Sequence, residues 1–152
     1  MKVVILCGGL GTRLAEETKL KPKPMVKIGN KPILSHIMDF YSSYGFDEFI
    51  LALGYKSQVI KNFYGKKNKL KFVNTGKKTM TGGRLLRLKK YFKKDETFMV
   101  TYGDGLSNQN IKSLLKFHKK HKKIATMTAV RQPTRFGELK LKGSKILRFS
   151  SS

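Results

Sequence analysis

The chain has 152 residues, 39% of them hydrophobic and 28% charged, a size that builds one globular domain with a real core and falls short of two full ones. A single cysteine, Cys7, excludes an intrachain disulfide, no Cys/His spacing suits zinc, and the five apolar residues Val3 to Cys7 are too few for a signal-peptide core or a membrane span, so a cytoplasmic protein without membrane insertion is expected. The 33 basic and 9 acidic residues give a net charge of +24, of which residues 1–65 carry +4 and residues 66–152 carry +20.

Lys2 to Cys7 is a continuous apolar run ended by Gly8-Gly9, the pattern of a buried parallel strand entering a loop. The stretch from Gly8 to Pro32 is punctuated by glycine and proline. Pro22 and Pro24 oppose regular helix there, and a loop with a short strand over Met25 to Ile28 is expected. Pro32 suits the first turn of a helix whose apolar residues Ile33, Ile37, Phe40, Tyr41 and Tyr44 recur at helical spacing up to Gly45. Glu48 to Leu53 reads as a second strand and Ser57 to Tyr64 as a short helix. Leu70 to Asn74 reads as a third strand, its alternating lysines placing it near an edge.

A helix over about Gly83 to Tyr91 leads to a fourth strand, Thr97 to Tyr102, and the turn Gly103-Asp104-Gly105. Asn108 is a candidate cap for a helix with the stripe Ile111, Leu114, Leu115 and His118 and a lysine-rich last turn. Ile124 to Val130, Glu138 to Leu141 and Lys145 to Phe149 read as strands, the last two as a hairpin about Gly143-Ser144. Strands alternating with helices argue a doubly wound, mainly parallel α/β sheet of order 3-2-1-4. In that order the loops after strands one and four face each other at the switch point, where a ligand binds.

Three features there carry chemistry. Gly8-Gly9-Leu10-Gly11-Thr12-Arg13-Leu14 can close backbone N–H groups around phosphate oxygens while Arg13 adds a charged fork; a tight turn without ligand is the plain alternative. A dinucleotide fingerprint fits badly, because Leu14 stands where the third glycine belongs, and a Walker A loop lacks its Gly-Lys-Ser/Thr. Lys23 lies between Pro22 and Pro24, which fix the backbone that aims its ammonium group. Asp104 sits between glycines at the end of a buried strand, where one carboxylate with substrate phosphates would complete a Mg²⁺ site. A cradle, a pinned lysine and a metal carboxylate are what phosphoryl or nucleotidyl transfer requires.

On these residues the chain resembles the sugar-phosphate nucleotidyltransferases, whose opening Gly-Gly-x-Gly-Thr-Arg-Leu and following Pro-Lys-Pro-Met are matched by residues 8–14 and 22–25. Glu16-Glu17-Thr18, Gly29-Asn30-Lys31-Pro32-Ile33-Leu34, Met80-Thr81-Gly82-Gly83-Arg84-Leu85, Thr101-Tyr102-Gly103-Asp104-Gly105 and Arg135-Phe136-Gly137 narrow the resemblance to the branch that joins CTP to glucose 1-phosphate. It implies a Rossmann-like sheet in which Gly8, Gly9, Gly11, Thr12 and Arg13 hold the CTP triphosphate. Lys23 neutralises charge near the α-phosphate, Arg84 lies by the nucleotide, and Asp104 binds Mg²⁺.

The implied reaction is in-line attack by glucose 1-phosphate on the CTP α-phosphorus, giving CDP-glucose for surface polysaccharide synthesis, in a family whose full-length members form homo-oligomers. The resemblance further implies that residues 1–152 are the nucleotide-binding domain. The sheet is then incomplete at its C-terminal end and the sugar-binding part, with a second metal carboxylate, lies outside the chain, so that efficient turnover by this chain alone is not expected.

Two rival readings remain open at this level, an inactive truncated paralogue and a basic nucleic-acid-binding module. Against the latter, only six of the 33 basic residues are arginines and no nucleic-acid-binding motif appears, so most lysines read as solvated surface. Cys7 reads as a small core residue rather than a nucleophile. His118 and His121, with no carboxylate beside them in sequence, read as a surface or partly buried pair rather than a metal site, and His36 as a structural helix residue.

Overall fold

The computed structural model describes residues 1–9, 21–65, 69–130, 138–142 and 145–150; the readings for Leu10 to Leu20, among them Gly11, Thr12 and Arg13, and for Arg135-Phe136-Gly137 lie outside them. Four strands, β1 (Lys2–Cys7), β4 (Glu48–Leu53), β5 (Leu70–Asn74) and β6 (Met99–Tyr102), form one sheet in the order β5-β4-β1-β6. All three pairings are parallel, so the sheet has the expected order 3-2-1-4, with the lysine-bearing β5 at one edge.

Register decides which residues share a face. Val3, Ile5 and Cys7 of β1 lie beside Phe49, Leu51 and Leu53 of β4. Together they meet Leu34, Ile37 and Tyr41 of α1 (Ile33–Ser43), Ile60 and Tyr64 of α2 (Ser57–Tyr64), and Ile111. The alternate residues Val4, Leu6, Ile50 and Ala52 face the other way, onto Leu88 of α3 (Thr81–Leu88) and the partly buried Leu85, Tyr91, Phe92 and Phe98. Helices on both faces are the reason β1 and β4 read as unbroken apolar runs. At an apolar transfer value of about 25 cal/mol per Å², each fully buried aliphatic side chain contributes roughly 1.5–3 kcal/mol.

Four local expectations are corrected. The Met25 to Ile28 segment is a 3₁₀ turn, Lys23–Met25, followed by the two-residue strand β2 (Lys27–Ile28), which pairs antiparallel with β3 (Lys31–Pro32). Pro22 and Pro24 fall in and before a first turn, whose N–H groups have no helical partner in any case, so the prolines cost that turn little. Next, α3 starts at Thr81 and passes at Leu88 into a 3₁₀ turn, Lys89–Tyr91. The cap of α4 (Ile111–His121) is Asn110 rather than Asn108, its Oδ1 accepting the Ser113 N–H at 2.9 Å. Finally, residues 124–130 form no strand, and Ile124, Met127 and Val130 are exposed. Apolar alternation supplies propensity, but a strand requires a partner for its backbone.

The chain parts into two compact units, Met1–Leu114 and Leu115–Ser152. The first holds the four-stranded sheet and α1 to α3. The second holds the hairpin of β7 (Glu138–Lys142) and β8 (Lys145–Ser150), antiparallel as expected, with an irregularity between Lys140 and Leu141. In that unit His118 Nδ1 and His121 Nε2 lie 2.8 and 2.7 Å from Thr126 Oγ1, while the Lys123 N–H donates to His121 Nδ1. The two histidines thus secure the chain after α4 as structural groups.

Candidate functional site

Parallel strands deliver their carboxyl ends to one side of a sheet, and β1 and β6, neighbours there, carry the glycine loops. The Gly103 N–H donates to the Leu6 carbonyl at 3.0 Å, which laces the loop after β6 onto the end of β1. No side chain fits at Gly103, because a Cβ would lie 2.9 Å from both Cys7 Sγ and Pro24 Cγ. Pro24 and Met25 are buried, so the 3₁₀ turn anchors the backbone of Lys23. From that anchor the Lys23 ammonium donates to Asp104 Oδ2 at 2.6 Å, across 81 residues of sequence. Both side chains retain about a quarter to a third of their exposure, 25% and 31%, so solvent and ligand can reach the pair.

The pair sits at a cleft of ≈ 280 Å³. Its walls are the end of β1 from Leu6 to Gly9, the Lys23-Pro24 turn, Thr79 to Thr81 at the start of α3, and Arg84, Tyr102 and Asp104. Asp104 is its one carboxylate among the described residues. Burial, then the nearby Asp104, pushes the Cys7 thiol far above its ordinary range. Cys7 is therefore a neutral packing group and no nucleophile.

Arg84 is buried at 5% exposure. Its Nη1 donates to Thr75 Oγ1 at 2.7 Å and to the Gly76 and Leu53 carbonyls at 2.8 and 3.3 Å. Its Nη2 donates to the Gly8 and Lys77 carbonyls at 2.8 and 3.3 Å. No carboxylate is among these partners. Burial, with Arg87 next, holds its pKa below the ordinary arginine value, but a guanidinium keeps its charge even so. The interior beneath the cleft is therefore positive, which favours an anionic ligand.

Of the residues singled out from sequence, Gly8, Gly9, Lys23, Arg84 and Asp104 are together around this cleft, while Gly11, Thr12 and Arg13 lie outside the described residues. Sequence reasoning passed over Thr79 and Thr81, which line the cleft, and Thr75, which orients Arg84 from beneath. The threonines before the Gly82-Gly83 pair were a usable signal for the first two. Nothing local marks Thr75.

The nucleotidyl transferase family model matches residues 2–150. Glucose-1-phosphate cytidylyltransferase of Salmonella typhimurium is 45% identical over 174 aligned positions, covering 98% of this chain and 68% of that protein. A probable glucose-1-phosphate cytidylyltransferase of Bacillus subtilis is 42% identical, covering 99% and 68%. Among solved structures, HddC from Yersinia pseudotuberculosis complexed with GMP-PN superposes with a TM-score of 0.68 at 28% identity over 99% of this chain and 68% of that one. The alignments with the Salmonella and Bacillus proteins span more positions than this chain has residues, so those relatives carry internal residues that it lacks. With a family model across nearly its whole length and relatives above 40% identity, the chain belongs to the nucleotidyl transferase family.

Proposed function

We propose that this chain is the nucleotide-binding domain of a glucose-1-phosphate cytidylyltransferase, acting in CTP + α-D-glucose 1-phosphate → CDP-glucose + pyrophosphate. The observation that carries the reading is the meeting of Lys23 and Asp104 at the mouth of a cleft that starts at Gly8-Gly9, on the side of the sheet where β1 and β6 end. The choice of base and sugar leans on the higher identity to cytidylyltransferases, 45%, than to a mannose-1-phosphate guanyltransferase of Aspergillus oryzae, 34%.

In the reaction a phosphate oxygen of glucose 1-phosphate forms a bond to the CTP α-phosphorus as the bond to the α–β bridging oxygen breaks, and pyrophosphate leaves with that electron pair. Backbone N–H groups of Gly8, Gly9 and Gly11, with Thr12 and the Arg13 guanidinium, hold the triphosphate. Lys23 would neutralise charge that builds on the α-phosphate, a charge-assisted contact contributing roughly 1.5–3 kcal/mol. Arg84 adds its positive charge beneath the nucleotide.

A divalent cation fits the residues present. Mg²⁺ takes one or two carboxylates and completes its shell with phosphate oxygens and water. Asp104 offers one partly exposed carboxylate facing the cleft, balanced by a lysine that can turn to the nucleotide instead. When bound, Mg²⁺ neutralises phosphate charge and orients the phosphate oxygens. No helix among the described residues is long and apolar enough to cross a membrane, and the proposed setting is the cytoplasm, where CTP is available.

Calorimetric titration of the purified chain with CTP, UTP, GTP, ATP and dTTP, with Mg²⁺ and with EDTA at 0.15 M salt, tests the reading. Preferential, metal-dependent binding of CTP that CDP-glucose displaces is the expected result. Equal affinity for all five nucleotides, as for any polyanion on a +24 surface, overturns it.

A further inference from the structure

We infer that Arg84, oriented by Thr75, is a positioning residue that aims the Gly9 N–H of the loop after β1 out of the interior toward the ligand. The inference deepens the CTP reading and rests on it for the ligand's identity.

Among the described residues there is no cis peptide bond. In a trans peptide the C=O and the following N–H point in opposite directions. The Gly8 carbonyl is drawn inward to Arg84 Nη2 at 2.8 Å, its shorter contact, and also accepts the Tyr55 N–H at 3.4 Å, so the N–H of Gly9, on the same peptide plane, points away from the guanidinium. Gly9 is exposed and lines the cleft. Close approach is needed for this, since a Cβ at Gly8 would collide with the Arg84 guanidinium. Position 8 therefore requires glycine for a reason separate from any contact with phosphate.

The guanidinium is itself held. Thr75 is fully buried, donates its hydroxyl hydrogen to the Leu53 carbonyl at 2.8 Å, and accepts from Arg84 Nη1 at 2.7 Å. With the Gly76 carbonyl, Arg84 thereby ties together the ends of β1, β4 and β5. Its terminal nitrogens already donate to five protein oxygens, which compete with any direct contact to a phosphate. Thr75 holds the guanidinium without lining the cleft. If Arg84 acts only by touching the ligand, loss of the Thr75 hydroxyl weakens CTP and leaves the Gly8-Gly9 peptide where it was; if it acts through the Gly8 carbonyl, the Gly9 N–H also moves in ligand-free protein.

The test uses the full chain carrying Thr75→Val, Thr75→Ser or Arg84→Lys. Denaturant unfolding first establishes that each variant is folded. Amide NMR then locates the Gly8 and Gly9 resonances without ligand, and CTP is titrated with Mg²⁺. Thr75→Val is expected to move the Gly9 resonance and to weaken CTP roughly 3- to 10-fold, the equivalent of one hydrogen bond. Thr75→Ser restores both readouts. Arg84→Lys, which keeps the charge but not the fork, is expected to weaken CTP about tenfold or more. A Gly9 resonance unmoved in both Thr75→Val and Arg84→Lys, or a Thr75→Val chain that binds CTP like the wild type, overturns the inference. Failure of the wild type to bind CTP overturns the functional reading instead, and the Gly9 resonance in ligand-free protein then decides the positioning role by itself.

Discussion

At the residue scale, Lys23 and Asp104 neutralise one another at 2.6 Å, and a metal nucleotide offers each a different partner. Charge-assisted contacts to phosphate contribute roughly 1.5–3 kcal/mol. Lys23→Ala should therefore weaken CTP binding about tenfold or more, by the same calorimetric titration. Asp104→Asn removes the carboxylate while leaving Lys23 free for phosphate. In that variant CTP should bind with the same affinity in Mg²⁺ and in EDTA; a persisting metal effect would place the cation on other residues.

At the scale of the elements, the two ends of local structure depend on single side chains. Asn110 caps α4 through Ser113, so Asn110→Ala should lower stability by about 0.5–2 kcal/mol in urea unfolding. Asn108→Ala, at an exposed position two residues earlier, should leave it unchanged. At the start of β1, Lys2 reaches the Tyr91 carbonyl at 2.9 Å and Glu96 at 2.9 to 3.0 Å, and Glu96 also accepts the Lys93 N–H at 2.9 Å. The Lys93 N–H first, then Lys2, holds the Glu96 carboxyl below the ordinary glutamate value. Because its folded pKa is lowered, its contribution is complete above the unfolded value of about 4.3 and is lost as pH falls from there through the folded value. The stability advantage of wild type over Glu96→Gln should thus be constant from pH 7 to 5 and disappear below that window, as followed by thermal melts.

For the whole molecule, +24 on 152 residues is a large self-repelling charge, and it raises the local concentration of any anion at low salt. At physiological ionic strength exposed charges are screened beyond about 8 Å. Lys119 and Lys120 are exposed on α4. Replacing both by Gln should change CTP affinity by less than about twofold at 0.15 M salt, well below the effect of Lys23→Ala. Equal losses would show that the surface as a whole, and not the cleft, binds the nucleotide.

Much of this architecture is local chemistry written along the chain. β4, β5 and α2 have the bounds that their apolar periods indicate, and the order β5-β4-β1-β6 follows from alternating strands and helices. Gly103-Asp104-Gly105 and Pro22-Lys23-Pro24 announced themselves because glycine and proline restrict backbone in ways that composition reveals. Other features depend on partners far away in sequence. The Ile124 to Val130 alternation suits a strand, yet among the described residues no neighbouring backbone pairs with it. Arg84, one of 33 basic residues, is marked in the sequence only by the family resemblance, and what it holds became visible when folding brought it to carbonyls 8, 31 and 76 residues away; Thr75 stands out only because its hydroxyl meets that guanidinium. Residue types and spacing determined the elements and the inventory of phosphate-handling groups. The tertiary structure decided which donors are already engaged and which way the Gly8-Gly9 peptide points, because a hydrogen bond depends on position and direction, and neither is encoded by a residue alone.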